Sequence, residues 1–130
     1  MNEILIPMSP GELLDKITIL QIKSERIADA EKVANVRTEL AMLEKVWSEA
    51  VEADDVITAL TAELKTINEA LWEIEDDIRD EERNKRFGER FIELARAVYV
   101  TNDERANAKK KVNLHLNSTI VEEKSYQDYR

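Results

Sequence analysis

LWEIEDDIRDEERNKRFGERFIELARAVYVTNDERANAKKKVN, residues 71–113, decides how this chain is read. Apolar residues recur at helical spacing on both sides of Gly88, the pattern of two helices joined by a turn. Phe91, Leu94, Ala95, Val98, Asn102, Arg105, Lys109, Val112, Asn113 and Leu116 all fall on one face if the second helix is continuous. Thr101 with Glu104 is a second possible capping box, which would break that helix after Val100. The shared face favours one unbroken helix over 89–116. The consequence is unusual, because an asparagine, an arginine, a lysine and a second asparagine then sit in the middle of an apolar stripe.

Working back toward the N-terminus, helix 3 is expected over 55–84, capped by Asp54 or Asp55. Its stripe runs Ile57, Leu60, Leu64, Ile67, Leu71, Ile74 and Ile78 in alternating steps of three and four. Helix 2, over 30–52 with Asp29 as its cap, repeats the pattern in Val33, Val36, Leu40, Leu43, Trp47 and Ala50. Two such helices joined by the short EADD link are expected to face one another as an antiparallel coiled coil. Ser9, Pro10 and Glu12 form a capping box with proline at the first helical position, so helix 1 starts there and runs to about Ile27. Leu13, Ile17 and Leu20 point to one side of it, Ile19 and Ile22 to another, so it is expected to be buried on more than one side.

These readings give an all-α fold: a single helical domain over 1–130, an antiparallel bundle with a long coiled-coil-like hairpin. Residues 1–8 form a short extended arm and 117–130 a C-terminal tail. Tyr126 and Tyr129 in that tail are candidates to dock on the bundle or on a second subunit. Trp47, Trp72 and Phe91 are read as core, and His115 as a helix cap or a solvent-facing residue.

Composition agrees and excludes much else. Two glycines, two prolines and 36% charged residues suit a helical bundle. With no cysteine and one histidine, thiolate and His-rich metal sites are ruled out, leaving oxygen-bound Mg²⁺ as the plausible cation. A net charge of -9 repels phosphate backbones, so no nucleic-acid role is expected, even with the 109–111 lysine run. No stretch approaches the roughly 20 apolar residues of a membrane span, and MNEILIPMSPGE carries no secretion signal, so a cytoplasmic protein is expected. There is no glycine-rich phosphate loop and no nucleophile elbow.

The polar residues on the apolar stripes are the candidate site. Glu75 borders the helix 3 stripe and Glu82 continues it, so helix 3 carboxylates are expected to face the cations of helix 4. One reading is a structural network that fixes register. The other is a ligand site built from Glu75, Glu82, Arg96, Asn102, Arg105, Lys109 and Asn113, with Lys16 near. It would hold a phosphate or nucleotide-sugar-like compound, with Glu75, Asp76 and Glu82 as a weak Mg²⁺ set. Glu12 with Asp15 repeats the short acidic spacing found in Mg²⁺-binding helical pyrophosphatases.

ILIPMSPGELLDKITILQIKSERI, LWEIEDDIR, FIELARAVYVTNDERANAKKKVN and VEEKSYQDY together resemble a family of small bacterial proteins known only as a domain of unknown function. The resemblance implies a mainly helical domain, sometimes beside carbohydrate- or cell-surface-related neighbours, and implies no activity. GELLDKITILQIKSER is also faintly similar to the first helix of helical chorismate mutases, but the rest of that pattern is missing. The expected function is therefore a non-enzymatic interaction or scaffold protein, probing a protein partner or pairing as a homodimer. The alternative is a small-molecule-binding protein or Mg-dependent enzyme using the polar site between helices 3 and 4.

Overall fold

Ser9 ends the extended arm and caps α1 (Pro10–Arg26): its Oγ accepts from the Glu12 N–H at 3.2 Å. Asp29 caps α2 (Ala30–Ala50), taking the N–H groups of Glu31 and Lys32. Asp54 caps α3 (Asp55–Arg83) through Ile57 N–H at 2.8 Å. Gly88 precedes α4 (Glu89–His115), which passes through Thr101 without a break. These helices come from a computed structural model that describes residues 2–130, and no strand occurs among them. No helix of the described residues is long and apolar enough to cross a membrane.

The sequence places the α3–α4 break at Gly88, but the left-handed residue that ends α3 is Lys85, at φ 57. Arg86 N–H bonds the Glu81 carbonyl and Lys85 N–H that of Glu82, which satisfies the last carbonyls of α3. Gly88, at φ -87, is the α4 N-cap and needs no glycine-only conformation. Asn117 closes α4 in the same left-handed way, at φ 55.

α1 packs against all three other helices, and α3 packs against α4. The α3–α4 pair is antiparallel, tied by Arg90–Asp77, Arg105–Asn68, Lys111–Glu63 and His115–Asp54. The helix 2–helix 3 coiled coil does not form. α2 lies along α1 instead, and of its side chains only Trp47 reaches the main core cluster. The stripe of α2 fits any apolar groove, and α1, apolar nearly all round, offers one. Val51 and Asp54 are both extended, so the link carries the chain away instead of folding α3 back on α2. No α2 side chain is fully buried.

The core gathers Leu14 of α1, Ile57, Leu60, Leu64, Ile67 and Leu71 of α3, and Ala108 and Val112 of α4. Burial fades toward the α3–α4 turn: Leu94 is still buried, but Ile74, Ile78 and Phe91 are half-buried and Phe87 is exposed. α1 ends at Arg26, opposite Glu69 and Glu73, so no third helix covers the far end of the hairpin. Trp47 and Trp72, read as core, are half-buried, and each lines an open cleft.

α1 meets α4 at close range through Gly11. A Cβ there would collide with the Lys109 carbonyl oxygen and approach Asn113 Oδ1 to 2.8 Å. Backbone cannot move aside as a flexible side chain does. Gly11→Ala is therefore expected to destabilise the protein by about 1–3 kcal/mol, the cost of overpacking, with helix content retained. Urea unfolding followed by circular dichroism measures it; an unchanged midpoint would show that α1 does not depend on this approach.

Candidate functional site

The polar residues converge where α1, α3 and α4 meet. At its top, Asn113 is buried and its Oδ1 accepts the Gly11 N–H at 2.7 Å. The first turn of α1 is thus fully used: Pro10 has no N–H, Gly11 bonds Asn113, and Glu12 bonds Ser9. An asparagine from a distant helix completes the cap.

One turn along, Asp15 is only 5% exposed. Asn68, equally buried, donates through Nδ2 to Asp15 Oδ1 at 2.9 Å and to Thr18 Oγ1 at 3.0 Å. Thr18 in turn donates to the Asp15 carbonyl at 2.8 Å. The Asn68 side-chain oxygen accepts from Arg105 Nη1 at 3.4 Å, and Arg105 Nη2 donates to Asn102 Oδ1 at 2.8 Å. Every buried side-chain nitrogen and oxygen among the described residues has a partner.

Lys109 supplies the countercharge. Its side chain is 11% exposed, and its ammonium lies 3.9 Å from Asp15, 2.6 Å from Glu12 and 3.0 Å from Glu122. Burial on its own lowers the Lys109 pKa. The bonds to Glu12 and Glu122 and the charge of Asp15 outweigh it and hold the pKa above the ordinary lysine value. Glu122 belongs to the C-terminal tail, and the bond from Lys109 holds its carboxyl below the ordinary glutamate value. The tail continues back along α4: Lys110 pairs with Glu123, the Tyr129 ring meets Tyr99 edge-to-face at 5.0 Å, and Tyr129 O–H donates to Asp103 at 2.9 Å. Tyr129 docks the tail on the chain's own bundle, whereas Tyr126 is exposed.

The structure brings Asn102, Arg105, Lys109 and Asn113 together, as the shared face of α4 requires. It corrects their partners. The acids facing Lys109 are Glu12 and Asp15 of α1 and Glu122 of the tail, not the carboxylates of α3. Glu75 pairs with Arg79 on its own helix at 2.6 Å. Glu82 and Arg96 are exposed and outside the seam, and Lys16 pairs with Glu39 of α2 at 3.2 Å. Glu75 and Asp76 line a cleft of about 400 Å³ beside Arg105, with Asn68, Leu71 and Trp72. Glu82 is not part of it, and no group of three acids or histidines suited to a metal forms among the described residues. The Mg²⁺ set Glu75, Asp76 and Glu82 is therefore not assembled. His115 is a cap of an unforeseen kind: its Nε2 bonds Asp54 Oδ2 at 2.7 Å, tying the end of α4 to the start of α3.

Thr18, Asn68 and Glu122 were not singled out by sequence, and Asp15 only as a weak acidic pair with Glu12. A signal existed for Asp15, because a helix apolar nearly all round has no solvent face to hold it. Asn68 follows Ile67 on the stripe of α3, which is a hint. Glu122 lies in a tail without periodicity, and nothing local marks it.

Fold and seam define an all-α protein in which a central helix is locked to a helical hairpin by a buried polar network. The chain belongs to DUF6165, a family of unknown function whose pattern matches residues 4–129. No curated protein and no solved structure matches it.

Removing Lys109 leaves Asp15 buried without a cation. Lys109→Met is expected to destabilise by on the order of 3 kcal/mol in chemical denaturation, and Asp15→Asn in the same chain to recover part of the loss. Equal stability of Lys109→Met and wild type would remove the seam from the fold's energetics.

Tail docking should also respond to pH. Glu122 has a lowered pKa, so its contribution is complete above the unfolded glutamate value and is lost as pH falls through the lowered one. Lys109 has a raised pKa, so its contribution is lost only as pH rises through that value. Docking is expected to be flat around neutrality and to fail on acidification. The Tyr129 ring resonances should then move to free-peptide positions, and Glu122→Gln should flatten the response. A Tyr129 signal indifferent to acid would contradict it.

Proposed function

We propose that this chain is a non-enzymatic interaction protein that pairs with a second copy of itself through its N-terminal arm and the groove beside α1 and α2. The observation that carries this reading is the exposure of the arm. Ile4, Leu5 and Ile6 are 75%, 86% and 65% exposed, consecutive and apolar. They border a groove of about 730 Å³ whose walls include Leu13, Leu43, Val46 and Trp47. Met42 and Val46 on α2 are exposed as well, since α2 packs only on α1.

Charge favours a second copy as the occupant. The protein carries -9, so most faces of two copies repel. This patch carries one cation and one acid, Lys16 and Glu52, so two copies meeting here bring no net charge together. It also presents both halves of a contact, an extended apolar segment and an apolar groove. A two-fold pairing would seat each arm in the other's groove. Around Lys109, by contrast, the seam is closed: three acids occupy its charge.

Sedimentation equilibrium at micromolar concentration tests this. The wild type is expected at twice the chain mass, and Ile4→Asp with Ile6→Asp at the chain mass with an unchanged helical spectrum. A wild-type monomer would overturn the pairing. A dimer that survives both changes would place the interface elsewhere.

A further inference from the structure

One member of the seam is not closed. Arg105 is part-buried, yet no carboxylate lies within ion-pair distance of it among the described residues; Glu122, which feels its charge, forms its bond with Lys109. Its two bonds go to neutral oxygens, Oδ1 of Asn68 and Oδ1 of Asn102. A guanidinium carries more N–H donors than two asparagine oxygens take up. Arg105 and Asn102 both line the cleft between α3 and α4, and the one side-chain bond of Asn102 is the one its oxygen accepts from Arg105.

Asn102 at 2.8 Å, and Asn68 more loosely at 3.4 Å, orient the guanidinium before any ligand arrives. A fork held in this way suits the planar oxygens of a carboxylate. Apolar surface follows it along the cleft, from Ile19, Leu71 and the half-buried face of Trp72. At the far end Glu75 is taken by Arg79, whereas Asp76 has no ion-pair partner. Arg105 and Asp76, neither with an ion-pair partner among the described residues, therefore sit apart along one trough, with Arg79 also in its lining beside Asp76. From Asn68 to Asp76 on α3 the trough spans about 12 Å at about 1.5 Å per residue.

We infer that this cleft is a binding site for a small zwitterion, its carboxylate held by Arg105 and Asn102, its stem laid on Trp72, and its ammonium at Asp76. The site is separate from the arm and the α2 groove, so it does not depend on self-association.

The test uses the full chain and three probes, 6-aminohexanoate, hexanoate and inorganic phosphate, followed by the indole N–H resonances of Trp72 and Trp47. The expected result is a saturable shift of Trp72 with 6-aminohexanoate and none of Trp47. Hexanoate should bind about three- to fivefold more weakly, the worth of an exposed ion pair. Phosphate should bind more weakly than either carboxylate. Arg105→Gln should weaken 6-aminohexanoate at least about tenfold, the loss of a charged hydrogen bond. Asp76→Asn, an exposed change that leaves the packing alone, should make 6-aminohexanoate and hexanoate equal. No saturable Trp72 shift with any probe would overturn the site. Tighter phosphate, or a preference for 6-aminohexanoate that survives Asp76→Asn, would overturn its assignment to a zwitterion.

Discussion

Asp15 is the constraint on which the arrangement of helices depends. A carboxylate taken out of water costs several kcal/mol unless it is paired and hydrogen-bonded. It lies in the second turn of α1, a helix that packs against the other three. Asn68 must come from α3 and Lys109 from α4, and each reaches Asp15 only when its helix stands at one axial position. The apolar core that holds Leu14 and Leu64 would tolerate a sliding helix, because hydrophobic burial has no direction. The seam does not tolerate it. A register-fixing network is one of the two readings the sequence offers for polar residues on an apolar stripe; the acids that meet Lys109 come from α1 and the tail and not from α3.

The top of the seam explains the start of the chain. Asn113 occupies the Gly11 N–H, and Gly11 lets the two backbones approach. The N-terminus of α1 is thereby consumed as part of the fold, and the arm that precedes it is directed outward along the α2 side. Just past Asn113, at the same end of α4, the chain turns at Asn117 and lays its tail back over Lys109 and Tyr99. The described structure thus has a covered side, under the tail, and an apolar side, at the arm. That asymmetry separates the surface we assign to self-association from the cleft around Arg105.

Local features were the most legible. Ser9, Asp29 and Asp54 cap the helices they mark, since a capping side chain acts within three residues of its own position. The continuity of α4 through Thr101 follows from a face that the sequence displays over its whole length. Partner choice was less legible. The stripe of α2 looks as well suited to α3 as to α1, because a period of three and four names a face and no partner. Lys85 could not be seen as the left-handed residue that ends α3: Gly88, three residues on, is the better local candidate, and the hydrogen bonds of the turn decide against it.

The sequence by itself determined the helices, their caps, the buried character of α1, and the placing of Asn102, Arg105, Lys109 and Asn113 on one apolar face. All of these follow from spacing and from interactions a few residues long. Only the tertiary structure decided that α2 packs on α1, that Lys109 answers Asp15, Glu12 and Glu122, and that Arg105 is left without an acid. Those outcomes, like the Gly11–Asn113 bond across 102 positions, join residues far apart in the chain. Burial and charge select such pairs only when every helix is in place at once.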